Sequence, residues 1–188
     1  MRRVELEIKE KSKIEEILKN TNTIRLGIIA DGMPYIVPLV FGYSWDNEKP
    51  VFYMHSGIGG RKKQGLFDGA RVCFEIDIEG PLMTSRTNYA NNFSREFCCI
   101  MGEGTLHYAV NAEEKISYFK HIMEKQTGRS DYDYQAGWLS LTDVFRLDVY
   151  ALSASQKGMD NAPKEEPSAH GFDWDRETKV AKNAIFWD

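Results

Sequence analysis

Apolar and polar residues alternate with a period of two in several segments of the chain, which indicates strands. The clearest case follows the Asp31-Gly32 hairpin signal, where four apolar residues of a return strand share one face. These four residues are Tyr35, Val37, Leu39 and Phe41. Further strands are predicted over residues 24–30, 50–55, 71–78, 97–110 and 144–152. Because short turns join several of them, the pattern predicts a mainly β protein, a small antiparallel β-barrel with peripheral helices.

Two segments have the helical period instead. Ser12 opens a capping-box pattern before an apolar stripe of Ile and Leu, which predicts a helix over residues 12–20. Asn111 and Glu114 repeat the capping-box spacing at the start of a second helix, which Gly128 ends.

The predicted strands are interrupted in three places. Pro38 removes a ladder donor from the return strand and marks a sheet edge or a bulge. Gly102 and Gly104 interrupt strand 97–110, which indicates a bulge or a close backbone approach. Residues 79–94 have no clear period and are predicted to form an exposed loop.

Length and composition favour one globular domain followed by an arm. The chain has 188 residues, of which 42% are hydrophobic and 28% charged. Residues 1–154 are expected to form the barrel domain and residues 155–188 an extended C-terminal arm. The arm is polar until its apolar end, Ala184–Trp187. The sequence leaves two alternatives for this end. It docks, for example on a partner subunit, or it is a disordered terminus.

Charge and cysteine usage exclude several classes of protein. The net charge is −4, from 24 basic and 28 acidic residues, which disfavours non-specific nucleic-acid binding. No apolar run reaches the ~18 residues of a membrane span, and the charged N-terminus does not resemble a signal peptide. Three cysteines make no disulfide framework, and the histidines have no metal-ligand spacing. A cytoplasmic protein without a metal or a membrane partner is expected.

One segment carries candidate chemistry, the strand, glycine-rich turn and helix start over residues 55–63. Its glycines allow backbone N–H groups to converge on an oxyanion, and three cations follow at Arg61, Lys62 and Lys63. The segment is not a P-loop, and the sixth position from Gly57 is Lys62, which rules out the dinucleotide fingerprint. It predicts a site for the phosphate of a small ligand, with a solvated basic turn as the alternative.

Several ordered motifs carry a resemblance to a known family. They are residues 35–43 (YIVPLVFGY), 52–56 (FYMHS), 60–62 (GRK), 71–77 (RVCFEID), 99–104 (CIMGEG), 113–115 (EEK) and 144–149 (VFRLDV). Over residues 1–157 the chain resembles the FMN-binding split-barrel superfamily, the relatives of pyridoxamine 5′-phosphate oxidase. Within that superfamily it is most similar to the nitroimidazole-resistance (Nim-type) flavoproteins.

The resemblance implies an antiparallel FMN-binding split barrel that forms homodimers with two FMN sites at the interface. Arg61 and Lys62 would hold the FMN phosphate with help from Ser56 and the Gly60 backbone. The other implied contacts are His55 and Met54 along the ribityl chain and ring edge, Val37, Pro38, Leu39, Val40 and Phe41 beside the isoalloxazine, and Cys99, which stands where relatives often have Ser.

The resemblance has one clear departure. Pyridoxamine phosphate oxidases end in a segment containing Arg-Leu-His, whereas this chain has Arg146-Leu147-Asp148 within a predicted strand. Pyridoxamine phosphate is therefore not the expected substrate. The expected function is an FMN-dependent oxidoreductase, of nitroreductase type, that passes electrons to a small flat acceptor. A non-catalytic flavin-binding protein and a haem-binding split barrel are the alternatives.

Individual side chains leave further alternatives open. His55 is a candidate catalytic acid or base, or a histidine that only packs at a strand end. Cys98 and Cys99 should point to opposite faces of a regular strand, with packing favoured over redox chemistry. Six aromatic residues could cover a flat ring, and the sequence does not single out one of them: Tyr89, Phe93, Phe97, Tyr132, Tyr134 and Trp138.

Overall fold

The computed structural model describes residues 4–84 and 89–158, and the backbone of three two-residue strands near the C-terminus. The helices are α1 (Lys11–Asn20), α2 (Ala112–Thr127) and α3 (Ala136–Ser140). The strands are β1 (Glu7–Ile8), β2 (Thr23–Ala30), β3 (Met33–Asp46), β4 (Lys49–Gly57), β5 (Arg71–Thr84), β6 (Ser94–Tyr108), β7 (Thr142–Lys157), β8 (Trp174–Asp175), β9 (Val180–Ala181) and β10 (Ile185–Phe186). Single 3₁₀ turns cover Val4–Leu6, Arg61–Gln64 and Ala90–Asn92.

Six long strands close into a barrel. Their order is β7-β4-β3-β2-β5-β6, and β6 pairs again with β7. Every pairing within this ring is antiparallel. The mainly β class and the antiparallel split-barrel fold expected from the sequence are confirmed, with α2 packed outside β3 and β4.

The barrel interior is filled by every second side chain of the strands. Phe52 lies at its centre, with its ring centroid 5.5 Å from that of Phe41 and 5.1 Å from that of Phe74, both in edge-on contact. A second, smaller cluster lies outside the barrel, where α2 and α3 cover β4 and β7. Burial of each large apolar side chain contributes roughly 1.5–3 kcal/mol, so this interior is the main source of stability.

The β2–β3 hairpin forms where the sequence predicts it. Asp31 and Gly32 both have positive φ, 55° and 72°, the backbone of a two-residue type I′ turn. The resulting register pairs Leu26 with Val37 and turns both side chains into the core.

The two helix predictions have different outcomes at their N-termini. α2 begins as predicted, because the Glu114 amide donates to Asn111 Oδ1 at 2.8 Å. α1 covers the predicted residues, but its N-cap is Glu10, which makes no side-chain cap hydrogen bond. The capping box predicted at Ser12 is therefore wrong, and α1 depends on its buried apolar face.

The prediction of a loop over residues 79–94 is wrong for the first part of that segment. β5 continues to Thr84 across a register shift between Glu79 and Leu82, so the alternating period is lost while the strand is kept. The glycines of β6 behave as predicted, because the ladder shifts at Gly104 and a Cβ on Gly102 would lie 2.4 Å from the Ala151 carbonyl oxygen.

The predicted arm lies largely outside the described residues. β7 ends at Lys157, and beyond Gly158 only the short strands are described, of which β10 pairs in parallel with Met83–Thr84. Among the helices of the described residues, none is long and apolar enough to cross a membrane.

Candidate ligand site where two strands separate

The candidate site lies where β3 and β4 part. Their pairing ends at Phe41 and Met54. Beyond that point, and within the described residues, Met33–Val40 pairs only with β2 and His55–Gly57 only with β7. Pro38 therefore lies on a locally open sheet edge, as its missing N–H predicts. Open strand edges present backbone N–H and C=O groups that a polar ligand can bind.

A glycine-rich turn forms one end of this gap. A Cβ added at Gly57 or Gly59 would meet nothing within 4 Å, so the backbone there faces open space. Gly60 has a φ of 94°, which strongly favours glycine. The helix predicted to start here is a single 3₁₀ turn over Arg61–Gln64, so no helix dipole contributes to this site.

The structure brings two of the three predicted cations to this turn. Arg61 Nε lies 3.1 Å from Asp31 Oδ2, its Nη2 donates to the Ala30 carbonyl at 3.1 Å, and its guanidinium covers the Tyr35 ring. Lys62 Nζ donates to the Gly59 carbonyl at 2.6 Å.

The third cation points elsewhere. Lys63 Nζ lies 2.5 Å from Asp143 Oδ2 and 4.9 Å from the centre of the Tyr108 ring. Its charge is therefore compensated away from the glycine turn. Arg61 and Lys62 stay beside the turn, where Arg61 is itself paired with Asp31.

His55 lies on β4 where the strands part, and its side chain points out of the barrel. Its ring centroid is 5.1 Å from that of Phe119 on α2 and 6.2 Å from that of Trp138 on α3. Burial lowers the pKa of His55, so the imidazole is neutral at pH 7. Its Nδ1 atom is buried and has no hydrogen-bond partner among the described residues. A bound ligand would remove the cost of this unpaired nitrogen.

The model of the pyridoxamine 5′-phosphate oxidase family matches residues 10–156. The chain belongs to this family. The match of the family model confirms the resemblance from which the site residues were predicted. No curated protein matches the chain.

Three solved structures illustrate what this member of the family is similar to. A proposed 5-nitroimidazole antibiotic resistance protein from Bacteroides thetaiotaomicron is 25% identical, over 79% of this chain and 85% of its own, with a TM-score of 0.65. The flavocytochrome Anf3 from Azotobacter vinelandii is 19% identical, over 88% and 76%, with a TM-score of 0.68. A FAD- and haem-binding protein from Mycobacterium smegmatis is 16% identical, over 83% and 76%, with a TM-score of 0.69. The last two show a shared fold.

Not every predicted site residue turns its side chain towards the gap between β3 and β4. Val37, Phe41 and Met54 point into the barrel core, and Leu39 packs against it, so only their backbone can meet a ligand. Pro38 and Val40 are exposed on the outer face. Ser56 is buried, and its hydroxyl donates to the Gly57 carbonyl at 3.3 Å.

Cys99 lies apart from the gap within this chain. It is on β6, three strands from β3 in the sheet, or about 14 Å at the usual strand spacing. Cys98 is buried inside the barrel and Cys99 is half-buried outside it, so the predicted opposite faces are confirmed. Burial, and then the carboxylates of Glu75 and Asp77, raises the pKa of the Cys99 thiol.

Some neighbours of the site were not identified from the sequence. Asp31 and Tyr35 hold Arg61, although they were recognised only as hairpin and strand residues. Trp138 was one of six aromatic candidates, and α3 was not predicted because five residues are too few to show a helical period. His55 and Trp138 are far apart in the sequence, so no local sequence pattern could predict their contact.

Proposed function

We propose that the protein is a flavoprotein oxidoreductase of nitroreductase type that binds FMN where β3 and β4 separate. One observation carries this proposal: Arg61 and Lys62 directly follow an open glycine turn, on the same short segment as His55 with its unpaired ring nitrogen. Family membership supports it, and so do the flavin- and FAD-binding proteins among the similar structures.

The residues at the gap fit the two ends of FMN. Arg61 and Lys62 would hold the phosphate, together with Ser56 and the backbone of Gly60, since cations and free N–H groups suit a dianion. The unpaired β3 edge, residues 37–40, would lie beside the isoalloxazine. A bound flavin supplies hydride and electron chemistry, while the protein orients the ring and controls access to it.

His55 is the proposed catalytic residue. A neutral imidazole carries one proton and offers its other nitrogen as an acceptor, so it can give or take a proton at a polar atom of the acceptor. Because Phe119 on α2 packs on the ring, the position of its nitrogens is defined before a ligand arrives.

A second copy of the chain would complete the site. The outer apolar face, defined as Ile29, Ile36, Val40 and Met101, carries large side chains that are 41–60% exposed. Between them lies Gly27, whose Cβ would meet Cys73 Sγ at 2.4 Å, so the middle of the face is flat. A homodimer packed on this face would cover these side chains and could bring the partner's β6, which carries Cys99, towards the gap.

The test is the visible spectrum of the purified protein beside an Arg61→Ala/Lys62→Ala variant, with FMN and riboflavin titrations of both. The wild type should show the two flavin bands and bind FMN at least tenfold more tightly than riboflavin. The variant should lose that preference while keeping its riboflavin affinity, since hydrogen bonds to a charged group contribute about 1.5–3 kcal/mol each. A Lys9→Ala/Lys120→Ala variant removes the same charge at exposed sites and should behave as the wild type.

The same samples separate the rival functions. A protein without a chromophore that also fails to take up FMN would contradict the flavin site, and a Soret band would identify a haem protein. For activity, protein reduced with dithionite under anaerobic conditions is mixed with a nitroarene. A flavin that stays reduced with every acceptor would indicate a non-catalytic flavin carrier.

A further inference from the structure

We propose that Trp138 is the stacking surface that selects a planar, electron-poor aromatic acceptor beside His55. This inference rests on the proposed function and adds to it the specificity-determining side chain and the electronic character of the acceptor. Four features of the described residues support it.

The first feature is that the backbone of Trp138 is fixed although α3 has only five residues. Leu139 is buried in the outer cluster, and Lys115 Nζ donates to the carbonyls of Leu139 at 2.7 Å and Thr142 at 2.8 Å. Thr142 Oγ1 also donates to the Trp138 carbonyl at 3.0 Å. A backbone anchored in this way limits where the indole can lie, which lowers the entropy lost when a ligand binds.

The second feature is that the indole is only partly used by the fold. Its centroid lies 5.0 Å from that of Phe119 and 6.2 Å from that of His55. Trp138 nevertheless remains 45% exposed. Exposure of part of a well-supported aromatic ring leaves a surface on which a second planar group can stack.

The third feature is an apolar rim next to Trp138. Gly57 pairs with Thr142, so the residues after one and before the other, Ile58 and Leu141, lie at the same strand end. Both are more than half exposed. The strand end that follows His55 and precedes Thr142 is therefore apolar at these two positions, which suits an uncharged ring.

The fourth feature is the electronic complementarity of the site. Indole has an electron-rich face, and it stacks best on a ring from which electrons have been withdrawn. The His55 ring, whose Nδ1 atom is unpaired, has its centroid 6.2 Å from that of the indole, and this nitrogen would bond a polar substituent of the ligand. Trp138 and His55 together select a planar ring with an electron-withdrawing polar group, such as a nitro group.

The experiment compares Trp138→Leu and Trp138→Phe in the FMN-loaded protein. The planar probe is nitrofurazone, and ferricyanide serves as an acceptor that does not stack. Trp138→Leu should raise the KM for nitrofurazone and its calorimetric Kd about tenfold, whereas Trp138→Phe should raise both about two- to threefold. The FMN affinity and the ferricyanide rate should stay at wild-type values. Tyr150→Leu removes a partly exposed ring on β7, twelve positions after Trp138, and should leave these constants unchanged.

The possible outcomes separate this inference from the proposed function. Unchanged nitrofurazone constants in Trp138→Leu, with FMN bound and ferricyanide reduced normally, would overturn the role of Trp138 and leave the flavoprotein intact. Loss of FMN from Trp138→Leu and Trp138→Phe would assign Trp138 to the cofactor and overturn the inference as well. A wild-type protein that binds no FMN would remove the proposed function and this inference together. If Trp138→Leu does not fold, the phenylalanine variant and its smaller shift decide.

Discussion

At the scale of single residues, burial keeps two histidines neutral. His55 packs against Phe119 and Trp138, and His121 stacks on Tyr53 with ring centroids 4.1 Å apart. Desolvation lowers the pKa of both imidazoles below the ordinary value of 6.5. Each is therefore harder to protonate in the folded protein than in the unfolded chain.

Stability should fall as the pH drops below about 6.5. In that range the unfolded chain binds protons that the folded protein does not, so the free energy of unfolding decreases as the pH falls towards the folded-state pKa values. Urea unfolding between pH 7.5 and 5.5 measures this loss, and a His55→Gln/His121→Gln variant should lose less than the wild type. Equal losses in the two proteins would show that other groups control the pH dependence.

The candidate site also shows how far single residues can be predicted. Arg61, Lys62 and Gly60 are close in sequence, so their spacing predicts their proximity. The same local pattern includes Lys63, yet the structure turns that side chain to Asp143, eighty positions away. A charge run does not specify which member faces a ligand, because that depends on partners supplied by distant strands.

At the scale of elements, α2 is the helix whose ends the sequence specifies best. Asn111 accepts from the Glu114 amide, Glu114 Oε2 accepts from the Val110 amide at 2.8 Å, and Gly128 closes the helix with a φ of 77°. These contacts satisfy backbone groups that a helix end leaves unpaired. The position of α2 matters for the site, since α2 carries the Phe119 ring that packs on His55.

Loss of the Asn111 cap should be measurable. Asn111→Ala should lower the free energy of unfolding by about 1 kcal/mol and the Tm by roughly 2–4 °C, because the Glu114 amide loses its acceptor. Thermal unfolding gives the Tm, and Asn111→Ser, which keeps an acceptor oxygen, should stay close to the wild type. An alanine variant with wild-type Tm would mean that water replaces the cap without cost.

Two elements show where local patterns are insufficient. α1 forms without the predicted capping box because Ile14, Ile17 and Leu18 are buried against the barrel. β5 extends past its last regular residue because β6 offers a partner on the other side of the irregular stretch. In both cases tertiary packing replaces the local signal, and only tertiary packing could reveal it.

At the scale of the whole molecule, the barrel leaves one broad side partly apolar. Successive strands there place Ile36, Gly27 and Cys73 in one row, and Pro38, Arg25, Glu75 and Met101 in the next. Arg25 bonds Glu75 at 3.0 Å and Asp77 at 2.5 Å, so this positive charge is compensated within the face. This partly apolar surface, whose cation is already paired, suits the proposed packing against a second copy of the chain.

The oligomeric state tests this proposal directly. Light scattering at micromolar concentration should give twice the chain mass of 21.6 kDa, and Ile36→Glu/Met101→Glu should shift the protein to monomers and weaken FMN binding. Val110→Glu places the same charge on an 86% exposed position and should leave the dimer intact. If the wild type had the mass of one chain, the proposed dimer would be wrong. The proposed contribution of the partner to the site would be wrong as well.

The sequence by itself determined the strand alternation, the Asp31-Gly32 hairpin, the caps of α2 and the order of the basic glycine turn. These features follow from preferences of neighbouring residues, since a strand repeats every two residues and a helix every three or four. The tertiary structure alone decided where β3 leaves β4, which cations remain at the gap and which aromatic ring packs on His55. Closing a barrel fixes the register of strands that are distant in sequence, and no local preference contains that register.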